Sequence, residues 1–326
     1  MSHKIIINEV GGPDVMEYRS AETPKPGTGE VLVRHTAIGV NFLDTYFRSG
    51  LYPAPNGTPF TPGAEAVGVV EAIGAGVTTI DPGDRVTYVV PLGAYSNERT
   101  VPVDRLVKVP DALDDRTVAG MMLKGLTTQY LLRRTYRVQS GDTILIHAAA
   151  GGVGLLVCQW AKHLGATVIG TVGSPEKAEL ARENGCTHTI LYRSEDFVEK
   201  VKEITDGKGC AVVYDSIGAD TYPGSLDCLK PLGTFVSFGQ ASGPITDFNL
   251  AHLAQKGSLF ATRPTLFTYI AAREDLDAMS AELFDAAMSG AISIPVNQEY
   301  ALRDAVEAHK ALEGRQTSGS TILLPG

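Results

Sequence analysis

The run Thr143-Ile144-Leu145-Ile146-His147-Ala148-Ala149-Ala150-Gly151-Gly152-Val153-Gly154 sets a glycine cluster between a β-branched stretch and a helix-like one. Such a turn lets backbone approach a pyrophosphate. Gly151 and Gly152 permit positive φ, and Gly154 allows close helix–strand packing. N–H groups at the helix start, aided by the helix dipole, would then hold the diphosphate. Ala149 stands where the G-x-G-x-x-G pattern has its first glycine, so the loop is a variant.

The next strand tells the two nicotinamide cofactors apart. A site for NAD places Asp or Glu near that strand's end, about 20 residues past the loop, to accept from the ribose 2′-hydroxyl. Here Ile169-Gly170-Thr171-Val172-Gly173-Ser174-Pro175-Glu176-Lys177 puts Gly173 and Ser174 at the strand end and Lys177 one helical turn on. A 2′-phosphate meets no acid at the strand end and gains a hydroxyl, backbone donors and an ammonium. Tyr192 and Arg193, after the third strand, are candidates to stack or pair with it, against solvated surface charge as the usual reading of a lone Lys177 or Arg193; the absent acid says more than either cation. The expected cofactor is NADPH.

A second group of candidates is Asn41, Tyr46 and Tyr52, all in one short segment. An amide N–H and two phenol O–H groups are donors for a developing oxyanion, and a phenol can also pass a proton. Packing competes with this reading for both tyrosines, at least equally for Tyr52 beside Pro53; for Asn41, positioning is favoured over chemistry. Asp44 is expected to bond its own loop. His147 reads as a satisfied core imidazole, Glu65 as internally paired and Asp215 as a loop anchor. Arg263 is the basic residue expected to face the nicotinamide side. No Ser/His/Asp triad is readable, so hydrolysis is not supported.

These residues need a scaffold, and 326 residues suggest two domains. Hydrophobic residues at 44% and charged residues at 20% fit a globular protein. A net charge of −9 argues against nucleic acid as a partner. Cys158, Cys186, Cys210 and Cys228 lack the short spacing of a zinc site and read as buried thiols in a reducing compartment. The N-terminal apolar run is too short for a secretory signal. Thr143–Ala161 carries no formal charge with His147 neutral, yet its His147, Gln159 and glycines suit a strand, turn and helix better than a bilayer span. A cytoplasmic protein without a membrane segment is expected.

The first 120 or so residues read as short β-rich runs cut by Gly/Pro, at Ile5–Ile7, Val31–Val33, Ala66–Val70 and Arg85–Val90, with few helices. From Leu126–Arg134, a helical stretch, the texture changes. Strands are expected at Thr143–His147, Thr167–Thr171, Thr189–Leu191, Ala211–Asp215, Thr234–Phe238 and Ser258–Thr262, with helices between them. That alternation describes a doubly wound parallel sheet. After Pro264 a helix at Glu274–Ser289, a strand at Ile292–Val296, a helix at Ala301–Glu313 and a strand at Thr321–Leu324 have no place in it and return to the first domain. The expected fold class is α/β, a β-rich domain from residues 1–123 and 265–326 around a Rossmann domain at 124–264.

The segments Gly63-Ala64-Glu65-Ala66-Val67-Gly68-Val69-Val70, Pro82-Gly83-Asp84-Arg85-Val86 and the Ala148–Gly154 loop resemble the medium-chain dehydrogenase/reductase superfamily. Asn41-Phe42-Leu43-Asp44-Thr45-Tyr46, Arg48-Ser49-Gly50-Leu51-Tyr52-Pro53 and Val236-Ser237-Phe238-Gly239 are similar to its quinone oxidoreductase (ζ-crystallin-like) branch, over essentially the whole chain. The resemblance implies a GroES-like β domain, a Rossmann domain, an active site in the cleft between them, and a homodimer. It implies that Asn41 and Tyr46 border the nicotinamide with Thr127 nearby, and that Gly151, Gly152 and Val153 follow the diphosphate. Gly173, Ser174, Lys177 and Tyr192 would hold the adenosine phosphate end, and Ser216, Phe238, Gly239, Gln240, Arg263 and Thr265 the rest of the cofactor groove.

Zinc alcohol dehydrogenases of this superfamily carry Cys at the position of Asn41 and His at that of Ala64; a third ligand and the four-cysteine lobe also have no counterpart here. Without that Lewis acid an unactivated alcohol is a poor substrate. A quinone needs less help, because its own carbonyls delocalise the incoming charge. The resemblance therefore implies zinc-independent reduction of quinones by NADPH. Reduction of the activated C=C bond of enals or enones is the runner-up, and NADPH binding without useful turnover, as in a crystallin, is the alternative of a different class.

Overall fold

The computed structural model describes residues 2–326. In chain order the first part holds β1 (Ser2–Ile7), β2 (Met16–Ala21), β3 (Glu30–Val40), α1 (Phe42–Ser49), β4 (Glu65–Ile73), β5 (Arg85–Val89), β6 (Glu98–Pro102), β7 (Val107–Lys108) and α2 (Asp115–Tyr130). The middle follows with β8 (Thr143–Ile146), α3 (Gly152–His163), β9 (Thr167–Val172), α4 (Pro175–Glu183), β10 (His188–Leu191), α5 (Phe197–Ile204) and β11 (Cys210–Asp215). It continues with α6 (Gly224–Asp227), β12 (Leu229–Ser237), α7 (Leu250–Gln255), β13 (Phe260–Thr262) and α8 (Leu266–Tyr269). The last part is α9 (Arg273–Met288), β14 (Val296–Ala301), α10 (Ala305–Glu313) and β15 (Ser320–Leu324). Two compact units result, one of residues 2–124, 270–288 and 294–326, the other of 125–269 and 289–293.

In the first unit β3 organises the larger sheet. Its eleven residues are mostly buried and pair with β4 along their length, with β6 at the start and with β15 at the end. One strand serves three neighbours because β6 pairs with its residues 30–34 and β15 with its residues 38–40; its β4 register slips at Leu32/Val33 and His35/Ala37, bulges that bend it. The sheet order is β14-β15-β3-β4-β5-β7, with β6 also on β3, while β1 and β2 form a separate antiparallel pair. Ile5, Ile7, Val33, Ile38, Val86, Tyr88, Tyr95, Leu106 and Leu323 meet in one core. The C-terminal strands thus close the sheet begun by the N-terminal ones. β2 and β6, mostly polar in sequence, escape a pattern reading because pairing with β1 and β3 defines them.

The second unit is a six-stranded parallel sheet in the order β10-β9-β8-β11-β12-β13. Relabelled in chain order this is 3-2-1-4-5-6, the doubly wound dinucleotide-binding arrangement, whose ligands lie beyond the carboxyl ends of the strands. Leu145, Ile169, Val213 and Phe235 form its central core with Val201, Leu226 and Leu259 from the covering segments.

Four local expectations change. The helix expected at Ala301–Glu313 begins at Ala305, after Ala301 ends β14 and a 3-10 turn covers Leu302–Asp304. The helix expected at Leu126–Arg134 starts at Asp115, because the Asp114 carboxylate accepts from the Thr117 N–H and hydroxyl, and it ends in a π-turn over Leu131–Thr135. The strand expected at Ile292–Val296 lies instead at Val296–Ala301. The Ser293 N–H donates to Gln159 Oε1 at 2.7 Å and its carbonyl accepts from Gln159 Nε2 at 3.0 Å, so a side chain takes the groups a strand would have paired. The second unit also runs past residue 264 to Tyr269, whose ring stacks on Tyr130 at 4.5 Å. Among the described residues no helix is long and apolar enough to cross a membrane.

Candidate active site

The second unit presents its candidate residues just past the strand ends. After β8 the chain turns through Ala148 and enters α3 at Gly151. The residue at positive φ is Ala148 (φ 56°), whereas Gly151 has φ −79°, so the conformational freedom that glycine permits is not used there. What Gly151 and Gly154 supply is room: a Cβ on Gly154 would stand 2.7 Å from the Ala149 carbonyl oxygen, and one on Gly151 3.2 Å from that of Ala148. No side chain caps α3, while Ser174, Asp196 and Asn249 cap α4, α5 and α7. The first-turn N–H groups that a helix leaves over, at Gly152 and Val153, therefore fit an anion such as a diphosphate.

At the end of β9, Gly173 lies against Tyr192: a Cβ there would stand 2.9 Å from the phenol oxygen. Ser174 caps α4 by accepting from the Lys177 N–H at 3.4 Å. Its hydroxyl also donates to Glu176, which holds that carboxyl below its usual range. The strand end itself carries no acid, as read from sequence, but Glu176 in the first helical turn engages Ser174. Gly173, Ser174, Lys177 and Tyr192 are thus brought together.

The ends of β11, β12 and β13 are linked by backbone. The Asp215 carbonyl accepts from the N–H groups of Phe238 and Gly239 at 2.8 and 3.3 Å, and the Ser216 carbonyl from that of Ala241 at 3.1 Å. A Cβ on Gly239 would stand 2.6 Å from the Ser216 carbonyl oxygen, which is why glycine stands there. Gln240, half-buried, lies between them in this turn. Arg263 donates to the Ser237 carbonyl at 3.0 Å, so it binds the neighbouring strand end; Thr265 is exposed just beyond, and Thr127 is buried on α2. Asp215 anchors its loop as expected, accepting from the N–H groups of Ile217 and Gly218 and the hydroxyls of Thr221 and Ser225. His147 is fully paired, with Thr171 Oγ1 at 2.9 Å and Ser225 Oγ at 3.0 Å, and burial pushes its pKa down.

In the first unit Asn41 is the N-cap of α1, and its N–H donates to Asp44 Oδ2 at 2.8 Å in a capping box. The short segment that holds Tyr46 is this helix. Asn41 Nδ2 donates to Glu65 Oε1 at 2.8 Å; Glu65 Oε2 accepts from the Leu123 N–H at 2.6 Å, and Lys124 Nζ lies 3.5 Å from Oε1. Tyr46 and Tyr52, both half-buried, lie side by side with ring centres 5.3 Å apart, and the Tyr52 N–H donates to the Tyr46 carbonyl at 3.0 Å. Burial pushes the Asp44 pKa up to about 7, although Asn41 and Tyr95 both donate to it. Lys124 and Tyr95 escaped the sequence reading, since no spacing announces partners 59 and 51 positions away. Among the described residues no three His, Cys, Asp or Glu side chains converge as a metal ligand set.

Family models match two stretches of the chain, an alcohol dehydrogenase GroES-like domain over residues 27–111 and a zinc-binding dehydrogenase over residues 152–284. Over 326 residues, the whole of both chains, the sequence is 55% identical to a quinone oxidoreductase of Pseudomonas aeruginosa. The chain belongs to the quinone oxidoreductase family. A 2-haloacrylate reductase of a Burkholderia species is 52% identical over 98% of each chain. The structure of Escherichia coli quinone oxidoreductase complexed with NADPH matches with a TM-score of 0.97 at 49% identity, over 99% of this chain and all of that one.

In this family member the two units carry separate kinds of group. The sheet of the second offers N–H donors at the α3 start and a cluster of polar and aromatic residues at its strand ends. The first offers an amide and two phenols close together, two of them on or capping one short helix, over a buried carboxylate–lysine pair.

Proposed function

We propose that this chain reduces quinones with NADPH, without a metal ion. The observation that carries this reading is the β9 end: Gly173 against Tyr192, Ser174 capping α4 and Lys177 one turn on, with no acid on the strand to bind a ribose 2′-hydroxyl. Whole-length identity to quinone oxidoreductases supports the acceptor class.

Bound NADPH would supply the reducing equivalents to the acceptor, as a hydride or as single electrons. The chain's own residues bind and orient. The Gly151–Val153 turn receives the diphosphate, Ser174, Lys177 and Tyr192 take the 2′-phosphate end, and Ser216, Phe238, Gly239, Gln240, Arg263 and Thr265, with Thr127, line the remainder. Asn41 and Tyr46 serve the nicotinamide and the acceptor, where a phenol hydrogen bond stabilises developing oxyanion charge and can deliver a proton. Tyr52, packed on Tyr46, is the second phenol. Glu65 is already committed to Asn41, Leu123 and Lys124, and Ala64 offers no ligand atom, so this donor set does not suit zinc.

A homodimer is part of this reading. β13 is an edge strand whose three residues are all exposed, Phe260 by 62%, with Leu250 exposed by 73% before it. An apolar unpaired edge favours pairing with a second copy. Four free, buried cysteines suit the reducing cytoplasm. The identity to a 2-haloacrylate reductase favours a second reading, reduction of an activated C=C bond. Product analysis after NADPH oxidation with a quinone panel and with 2-haloacrylates decides: hydroquinone supports the first reading, and a saturated acid as the faster product the second.

A further inference from the structure

The first unit contains a buried polar chain that the proposed activity has not used. Arg48, only 2% exposed, donates to His309 Nδ1 at 3.1 Å; His309 Nε2 lies 3.0 Å from the Tyr95 hydroxyl; that hydroxyl lies 3.0 Å from Asp44 Oδ2. Asp44, Tyr95 and His309 are all fully buried. Arginine has only donors, so it fixes every direction. His309 Nδ1 accepts, its Nε2–H donates to Tyr95, and the Tyr95 O–H donates to Asp44. His309 is therefore neutral with one tautomer.

The chain is tied at both ends of α1. Asp44 holds the first turn through the Asn41 N–H, and Arg48 holds the last by donating to Glu313 at 2.7 and 2.8 Å and to the Gly11 carbonyl at 3.1 Å. Asp44 and Arg48 are four residues apart and share the buried face of the helix. Tyr46 lies about 200° around the helix axis from Asp44 at 3.6 residues per turn, and Phe42 is exposed on that side by 39%. Apolar packing alone would hold such a helix at lower desolvation cost but would leave its rotation about its own axis less defined. Directional bonds at two points set that rotation.

We propose that Tyr95 and His309 are positioning residues for the reduction: through Asp44 and Arg48 they set the orientation of α1 and hence of Asn41 and Tyr46. This rests on the reading that Asn41 and Tyr46 serve the reaction. Catalytic groups displaced by about 1 Å lose about a hundredfold in rate, so a partial release should be visible in kcat.

The test compares the wild type with Tyr95→Phe, His309→Gln and His309→Leu, measuring quinone turnover, KM, NADPH dissociation constant and melting temperature. Tyr95→Phe keeps the ring and removes the middle link; Gln at 309 keeps a donor toward Tyr95 while Leu does not. The expected result is kcat lowered about tenfold in Tyr95→Phe and His309→Leu, at least half restored in His309→Gln, with NADPH affinity within twofold throughout. Should Tyr95→Phe not fold, the Gln and Leu variants alone carry the comparison. Unchanged kcat in the folded variants, or equal losses in Gln and Leu, would overturn the positioning role while wild-type turnover still supports the activity. No turnover by the wild type would instead remove the activity on which the role rests.

Discussion

The side-chain amide of Asn41 donates to Glu65 at 2.8 Å, so the N-cap residue of α1 is locked to a buried carboxylate. With Lys124 beside it, Glu65 belongs to a nearly water-free charge pair, exposed by 1% and 7% at the two residues. Removing one partner of such a pair costs about 3–5 kcal/mol. Glu65→Ala is expected to lower unfolding free energy by about that amount, read by urea denaturation. A strong chelator is expected to leave turnover unchanged; a loss restored by zinc would contradict the assignment of Asn41.

On the proposed reading Lys177, one turn past the Ser174 cap, is the cation of the 2′-phosphate end. Lys177→Ala is expected to weaken NADPH about tenfold, roughly 1.4 kcal/mol, with NADH affinity nearly unchanged. Titration with both cofactors checks it, and equal losses would remove Lys177 from that role.

Tyr46 and Tyr52 pack together, so removing one hydroxyl should leave the rings in place. Tyr46→Phe is expected to lower kcat by tenfold or more while shifting NADPH affinity less than twofold. Unchanged kcat would return Tyr46 to packing.

Buried titratable groups set an acid response of opposite signs. Burial lowers His35 and His309 from 6.5 to about 3, so each is protonated on unfolding between those values, and stability falls as pH drops below 6.5. Burial raises Asp44 from 3.8 to about 7, so the folded state holds its proton more tightly, and stability falls as pH rises from about 4 to 7. Tyr95, Glu65 and Lys124 are the groups acting on it. Asp44→Asn is expected to remove one proton from this balance. Relative to wild type, its unfolding free energy should gain about 1.4 kcal/mol per pH unit of upward slope between pH 4 and 7. Parallel pH curves for the two proteins would place the Asp44 carboxyl at an ordinary value.

Much of the second unit was legible because its signals are local. Apolar strands such as Ile144–Ile146 and caps such as Ser174-Pro175 lie within a few residues of what they specify. The first unit was harder. β2 and β6 carry polar residues on open faces, and α1 is a short helix, capped by Asn41, that the residue pattern does not announce. The candidate residues themselves were visible as types, but their partners were not. Tyr95 and His309 are 214 positions apart, and only the folded sheet brings them together. At the glycine turn the composition marks the place, while Ala148 takes the left-handed position and the glycines give clearance.

The most direct test of the account is steady-state oxidation of NADPH and NADH by the purified chain with a panel of quinones, products identified. The account predicts quinone-dependent oxidation with hydroquinone or semiquinone formed and NADPH preferred at least tenfold in kcat/KM. Tight NADPH binding with no quinone accelerating its oxidation, or equal use of NADH, would contradict it.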